Sequence, residues 1–174
     1  NENLKMMEKY QKKYEFDGFE IIKFDLEKDS SRLKDNIIGY HMRFFPMWLD
    51  VYLEKYQMAK EKFPDKMDRF YWCGGDTKEE VIAYYKKDLQ RAKELGAEYV
   101  VFHACYVDDE GSLTYEFPYT DEEVLEGVAS LMNDVFKGED FQFILLLENL
   151  WWAGLKLHSK KEMELLLEKI EYKN

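Results

Sequence analysis

Glu94-Leu95-Gly96-Ala97-Glu98-Tyr99-Val100-Val101-Phe102-His103 carries the chain from a helix into a strand within ten residues. Before it, Val81, Ile82, Tyr85, Leu89 and Ala92 recur at helical spacing, and Gly96 marks where that helix closes. After the glycine, an apolar run ends in one side chain able to bind a metal. The pattern recurs in Ile37-Ile38-Gly39-Tyr40-His41 and in Phe143-Ile144-Leu145-Leu146-Leu147-Glu148. Parallel strands buried on both faces read as continuous apolar runs of this kind, as 99–102 and 143–147 do. A fourth strand is expected over Phe19-Glu20-Ile21-Ile22-Lys23-Phe24. Strands separated by helices imply an α/β fold with a parallel sheet.

The helices between them are legible from spacing and from start signals. Leu4, Met7 and Gln11 with Met6, Tyr10 and Tyr14 predict a first helix to about Tyr14. Trp48, Val51, Tyr52, Tyr56, Ala59 and Phe63 predict one helix, stopped by Pro64. Val124, Leu125, Val128, Leu131 and Val135 predict another, closing near Gly138, and Met163, Leu166, Leu167 and Ile170 a last one. Thr77 with Glu80, Thr120 with Glu123, and Ser159 with Glu162 each have capping-box spacing, in which hydroxyl and carboxylate satisfy free N–H groups at a helix start. Tyr71-Trp72-Cys73-Gly74-Gly75-Asp76 reads as an elaborated loop. The whole, residues 1–174, is expected to be a single domain.

Composition narrows the function classes. Apolar residues make up 46% of the 174, enough for a real core, and no stretch approaches the roughly 20 apolar residues that span a bilayer. The N-terminal residues show no signal-peptide pattern, so a cytoplasmic protein is expected. Two cysteines, Cys73 and Cys105, are too few for a disulfide scaffold and match no zinc motif. The net charge of −11 is concentrated in residues 77–174, and Asp108 to Asp140 holds eleven acids against one base, Lys137. Such a surface repels phosphate backbones and disfavours a nucleic-acid partner. There is no G-x-G-x-x-G, Walker A loop, G-x-S-x-G elbow or C-x-x-C.

In parallel α/β folds functional residues gather at the carboxyl ends of the strands. His41, His103 and Glu148 all occupy such ends. Two imidazoles and a carboxylate suit zinc, manganese, iron or cobalt. Glu148 follows five apolar residues and is expected at or near burial, where a carboxylate needs a metal, a cation or donors. His158 precedes a helix cap and is given no role. Aromatic residues crowd the loops after the three ends: Phe44, Phe45 and Trp48; Tyr106, Tyr115, Phe117 and Tyr119; Trp151 and Trp152. Rings there can stack on a sugar or a base and exclude water. Phe44, Tyr106, Asn149 and, foremost, Trp151 are the candidate substrate contacts.

Asp17-Gly18-Phe19-Glu20-Ile21, Gly39-Tyr40-His41, the 94–103 segment and Leu147-Glu148-Asn149 with Gly154 resemble, in order and spacing, the xylose-isomerase-like TIM-barrel superfamily. The resemblance covers nearly the whole chain, aligned with what would be the second to fifth strands. It implies a (β/α) barrel of which about four strands lie here, so the chain is expected to be an incomplete barrel, or part of a longer protein, with further ligands on later strands. By it His41, His103 and Glu148 fall on metal-ligand positions of the endonuclease-like branch and Glu148 also on the metal-binding glutamate of the epimerase-like branch, which implies a divalent metal (Zn, Mn, Co or Mg) and, in the latter branch, a catalytic role for Glu148 in moving a proton beside a carbonyl. The implied activity is that of a sugar or sugar-phosphate isomerase or epimerase with a small-molecule sugar as partner. The alternatives are an apurinic-site phosphodiesterase of the endonuclease IV type and a non-catalytic binding module. A half-barrel is also expected to form a homo-oligomer or to cover its strand edges in another way.

Overall fold

The computed structural model describes residues 2–22 and 31–173. The expected alternation of helices and strands is present. Helix α1 (Glu2–Tyr14) leads to β1 (Phe19–Ile22), and a 3-10 turn (Ser31–Asn36) to β2 (Ile37–His41). Then come α2 (Trp48–Tyr52), α3 (Tyr56–Lys62), α4 (Lys66–Cys73) and the long α5 (Lys78–Leu95). Strand β3 (Tyr99–His103) is followed by β4 (Cys105–Tyr106), α6 (Asp109–Thr114) and α7 (Asp121–Phe136). Last are β5 (Ile144–Glu148), β6 (Ala153–Gly154) and α8 (Lys160–Lys169). Among the described residues no helix is long and apolar enough to cross a membrane. Lys23 and Phe24, expected to finish the first strand, lie outside the described residues.

Strands β1, β2, β3 and β5 form one parallel sheet in that order, while β4 and β6 pair antiparallel beside it. The register puts Ile22 beside His41, His41 beside Val101, and His103 beside Glu148. Side chains alternate faces along a strand, so these residues share one face. The opposite face carries Tyr40, Val100 and Phe102, all fully buried with the apolar sides of α5 and α7 in one core. Gly127 keeps that layer thin: a Cβ there would meet the Leu49 side chain of α2. The helices thus cover one face of the sheet. The other face is held flat at Gly39, where a Cβ would collide with the Tyr99 ring; that ring crosses β2 to hydrogen-bond Glu20.

The secondary structure and packing depart from the sequence reading at several points. The expected buried run 143–147 is an edge strand: Ile144 is 55% and Leu146 42% exposed, because no strand pairs with the outer side of β5 among the described residues. The expected helix 48–63 is broken into α2 and α3 at Leu53-Glu54-Lys55, where Glu54 takes a left-handed φ of 60° and the Lys55 N–H donates to the Asp50 carbonyl. The expected loop 71–76 overlaps α4, which Asp65 caps by accepting from the Met67 N–H and Gly74 ends at φ 87°. Of the three capping boxes only Thr120 and Glu123 form both bonds. At α5 the Thr77 hydroxyl accepts from the Glu80 N–H while the Glu80 carboxylate takes the Asp76 N–H instead, and Ser159 makes no backbone bond.

Candidate metal centre

Strand geometry brings the three candidate ligands together. His41 Nε2, His103 Nε2 and Glu148 Oε2 lie 3.0 Å, 3.1 Å and 3.4 Å from one another. For metal–ligand bonds of about 2.0–2.1 Å, the edge of a tetrahedron of ligands is about 3.3–3.4 Å. The triangle is therefore already close to the size that one ion requires, and this group can hold a metal ion. Three ligands leave a fourth position for water or substrate, as in catalytic rather than structural sites.

The protonation pattern suits such an ion. His41 Nδ1 lies 2.9 Å from the Met42 carbonyl, which can only accept. In a neutral ring that contact places the proton on Nδ1 and leaves the Nε2 lone pair for the side of the other two ligands. Burial, and after it the neighbouring His41, lowers the pKa of His103, while Glu148 opposes the shift. A neutral imidazole is the form that ligates. His103 Nδ1 is buried without a hydrogen-bond partner. Glu148 is not buried, contrary to the sequence expectation: its side chain is 44% exposed because it ends the edge strand. Its charge is thus solvated on one side and faces two imidazoles on the other.

Two structural devices fix the ligands. Asp88 of α5 is completely buried and accepts from the Tyr40 hydroxyl at 2.5 Å and the Arg43 N–H at 3.0 Å, so it ties down the side chain before His41 and the backbone after it. Burial pushes its carboxyl up to about 6, against the pull of those two donors. After His103 and Glu148 the chain is tied across itself: Ala104 N–H donates to the Glu148 carbonyl and Leu155 N–H to the Ala104 carbonyl. Pairing of β4 with β6 completes the tie.

An aromatic wall leads away from the ligands. Phe44 lies 4.8 Å from the His103 ring, Trp152 stacks on Phe44 at 5.9 Å and 9°, and Trp151 meets Trp152 at 5.1 Å. Trp151 is 61% exposed and lines a hollow of about 370 Å³ with Asn149, Leu150, Lys156 and His158. Phe44, Asn149 and Trp151 are therefore placed along or beside the wall. Tyr106 is not available as a substrate contact. It is fully buried and donates its hydroxyl to Asp50, which Tyr119 also binds. Burial raises the pKa of Asp50, while the two tyrosine donors counter it.

The sequence reading left out Asp88 and Lys156 and gave His158 no role. Asp88 had a signal: it falls on the apolar stripe of α5 with Tyr85, Leu89 and Ala92, where a carboxylate is out of pattern. Lys156 and His158 had none, because a loop carries no periodicity. Cys105, two residues past His103, is buried and its thiol is pushed up to about 12, so it stays protonated and packs. Comparison with protein-family models and with characterised proteins found no match.

Proposed function

We propose that the chain carries part of a metal-dependent sugar isomerase or epimerase of the xylose-isomerase-like barrel type. The observation that carries this reading is the convergence of His41, His103 and Glu148 at the carboxyl ends of three parallel strands. The barrel reading is supported by the winding: the crossover helices cover a single face, as in a barrel, rather than both faces of an open sheet. His41, His103 and Glu148 would hold a divalent ion, which as a Lewis acid would polarise a carbonyl or hydroxyl oxygen of the sugar. Glu148 presents its carboxylate to solvent as well as to the imidazoles, so it can accept a proton from the carbon beside that carbonyl. Trp151 offers an exposed ring and Asn149 an amide for the sugar's faces and hydroxyls.

The nuclease reading draws on the same imidazoles but has less support. Lys62, Lys66 and Lys156, in the segments after these strand ends, are paired with Asp108, Asp76 and Asp121. A phosphate backbone would meet few uncompensated charges there. The test is proton exchange in heavy water with aldoses and ketoses, in the presence of zinc, manganese or cobalt. Deuterium should appear at the carbon next to the carbonyl, only with metal, and not with Glu148→Gln. Bound metal without exchange on any sugar would remove the isomerase reading and leave a binding module; cleavage of abasic DNA would replace it with the phosphodiesterase.

A further inference from the structure

We propose that Asp121 is the positioning residue of the loop after β5: it sets where Asn149, Trp151 and Trp152 stand in front of the metal ligands. What that loop holds rests on the sugar reading above. How the loop is held rests on geometry alone.

Between Glu148 and α8 the chain has only the two-residue β6, so its backbone groups must find partners elsewhere. Toward β3 they find β4. Leu155 N–H donates to the Ala104 carbonyl, and Ala153 and Gly154 lie opposite Tyr106 and Cys105. Leu150 N–H donates to the Leu155 carbonyl, so Trp151 and Trp152 stand at the tip of a closed turn. On the other side the partner is one carboxylate. Asp121 accepts from the Gly154 N–H at 3.0 Å, and the Lys156 ammonium lies 2.8 Å and 3.0 Å from its two oxygens. Gly154 makes this approach possible. It takes φ 127°, and a Cβ there would collide with the Ala104 carbonyl and press on Val124 of α7. The backbone is therefore wedged between β4 and the start of α7.

The anchor itself is rigid. Asp121 is the first residue of α7, directly after the cap Thr120, and Val124, Leu125 and Val128 of that helix are buried in the core. A negative charge in the first turn is favoured by the helix dipole. Groups mounted on regular elements hold their geometry better than groups on loops, and Asp121 passes that rigidity to the loop. The bond runs to the helix side, so it does not depend on what else borders β5. From there position reaches the site. Trp152 stacks on Phe44, and Phe44 lies against the His103 ring, so the loop tip bridges the segments after β2 and β5 in front of the triad. Asp121 is not one of the clustered ligands. Its side chain is 38% exposed and that of Lys156 20%, and ion pairs open to water add little to stability. Releasing the loop should therefore disturb the sugar contacts and spare both the fold and the metal.

Nuclear magnetic resonance of the indole N–H groups in the isotope-labelled chain reads the loop directly. The chain has four tryptophans, and Trp151→Phe and Trp152→Phe assign the two of interest. Asp121→Ala should displace the Trp151 and Trp152 signals and leave that of Trp48, whose N–H donates to the Cys105 carbonyl. Asp121→Asn, which keeps an acceptor for the Gly154 N–H, should displace them less. Glu122→Gln, which breaks the neighbouring pair with Lys161, should move none of them. Zinc affinity should match the wild type in all of these variants. In the heavy-water exchange assay Asp121→Ala should raise KM by about 10-fold at unchanged kcat, because it removes binding shared by ground and transition states. Unmoved Trp151 and Trp152 signals, a parallel loss of zinc affinity, or a fall in kcat at constant KM overturns the proposal. If the wild type exchanges no sugar, the isomerase reading fails on its own test, and the indole signals still decide whether Asp121 sets the loop.

Discussion

Strands β3 and β5 lie side by side in register and share a pattern, four apolar residues and then a ligating one in Tyr-Val-Val-Phe-His and in Ile-Leu-Leu-Leu-Glu, yet they live in different solvents. Strand β3 is central: Val100 and Phe102 are buried on the helix side, and Val101 is buried on the other. Strand β5 is at the edge, and Ile144, Leu146 and Glu148 on its open face reach water. An apolar run thus reports what a strand is suited to, while its neighbours decide what it gets. The same contrast divides the ligands: His41 and His103 are largely enclosed, and Glu148 is accessible.

Truncation should separate the two strands most. Phe102→Ala is expected to cost about 3–5 kcal/mol in chemical denaturation, because it opens a cavity in a fully packed layer. Leu146→Ala should cost less, because that side chain is already 42% exposed on the open face of the edge strand. Equal costs would erase the contrast.

Beneath β2 and β3, Asp88 supplies a titration. Its pKa is raised by burial from 3.8 to about 6, so the native state holds the proton more tightly than the unfolded state. Stability should fall as pH rises from about 4 to about 6 and then level off, a loss on the order of 3 kcal/mol. Asp88→Asn should flatten that fall when urea denaturation of the two proteins is compared across the window. A parallel pH dependence in both would show that Asp88 is not the group responsible. The smallest effect concerns helix starts. Thr120→Ala, which breaks a complete box, should cost about 1 kcal/mol, and Ser159→Ala, which breaks no backbone bond, close to nothing. Thermal unfolding of the two variants checks the ranking.

The sequence showed where chemistry could sit more readily than how each residue is housed. His41, His103 and Glu148 could be picked out because each ends an apolar run, and a parallel sheet aligns such ends; their meeting follows from register. Exposure of β5 could not be read, because Ile144 to Leu147 would look the same at the centre of a sheet. The break at Glu54 left no trace either, since neither glycine nor proline marks it. Helix α4 was readable from Asp65 and Gly74, but it is only eight residues long and runs into Gly74-Gly75, a pair that reads as a loop. Burial of Tyr106 depends on Asp50, 56 positions away, and no local pattern announces such a partnership.

The most direct test of the central claim is calorimetric titration of the chain with zinc at neutral pH, alongside His103→Ala. One ion per triad is expected for the wild type. The substitution should weaken binding by more than about 100-fold, since even outer-shell partners of a ligand are worth about 10–100-fold. Equal affinity in the two proteins, or no saturable binding to the wild type, would contradict the assignment of His41, His103 and Glu148 as a metal centre.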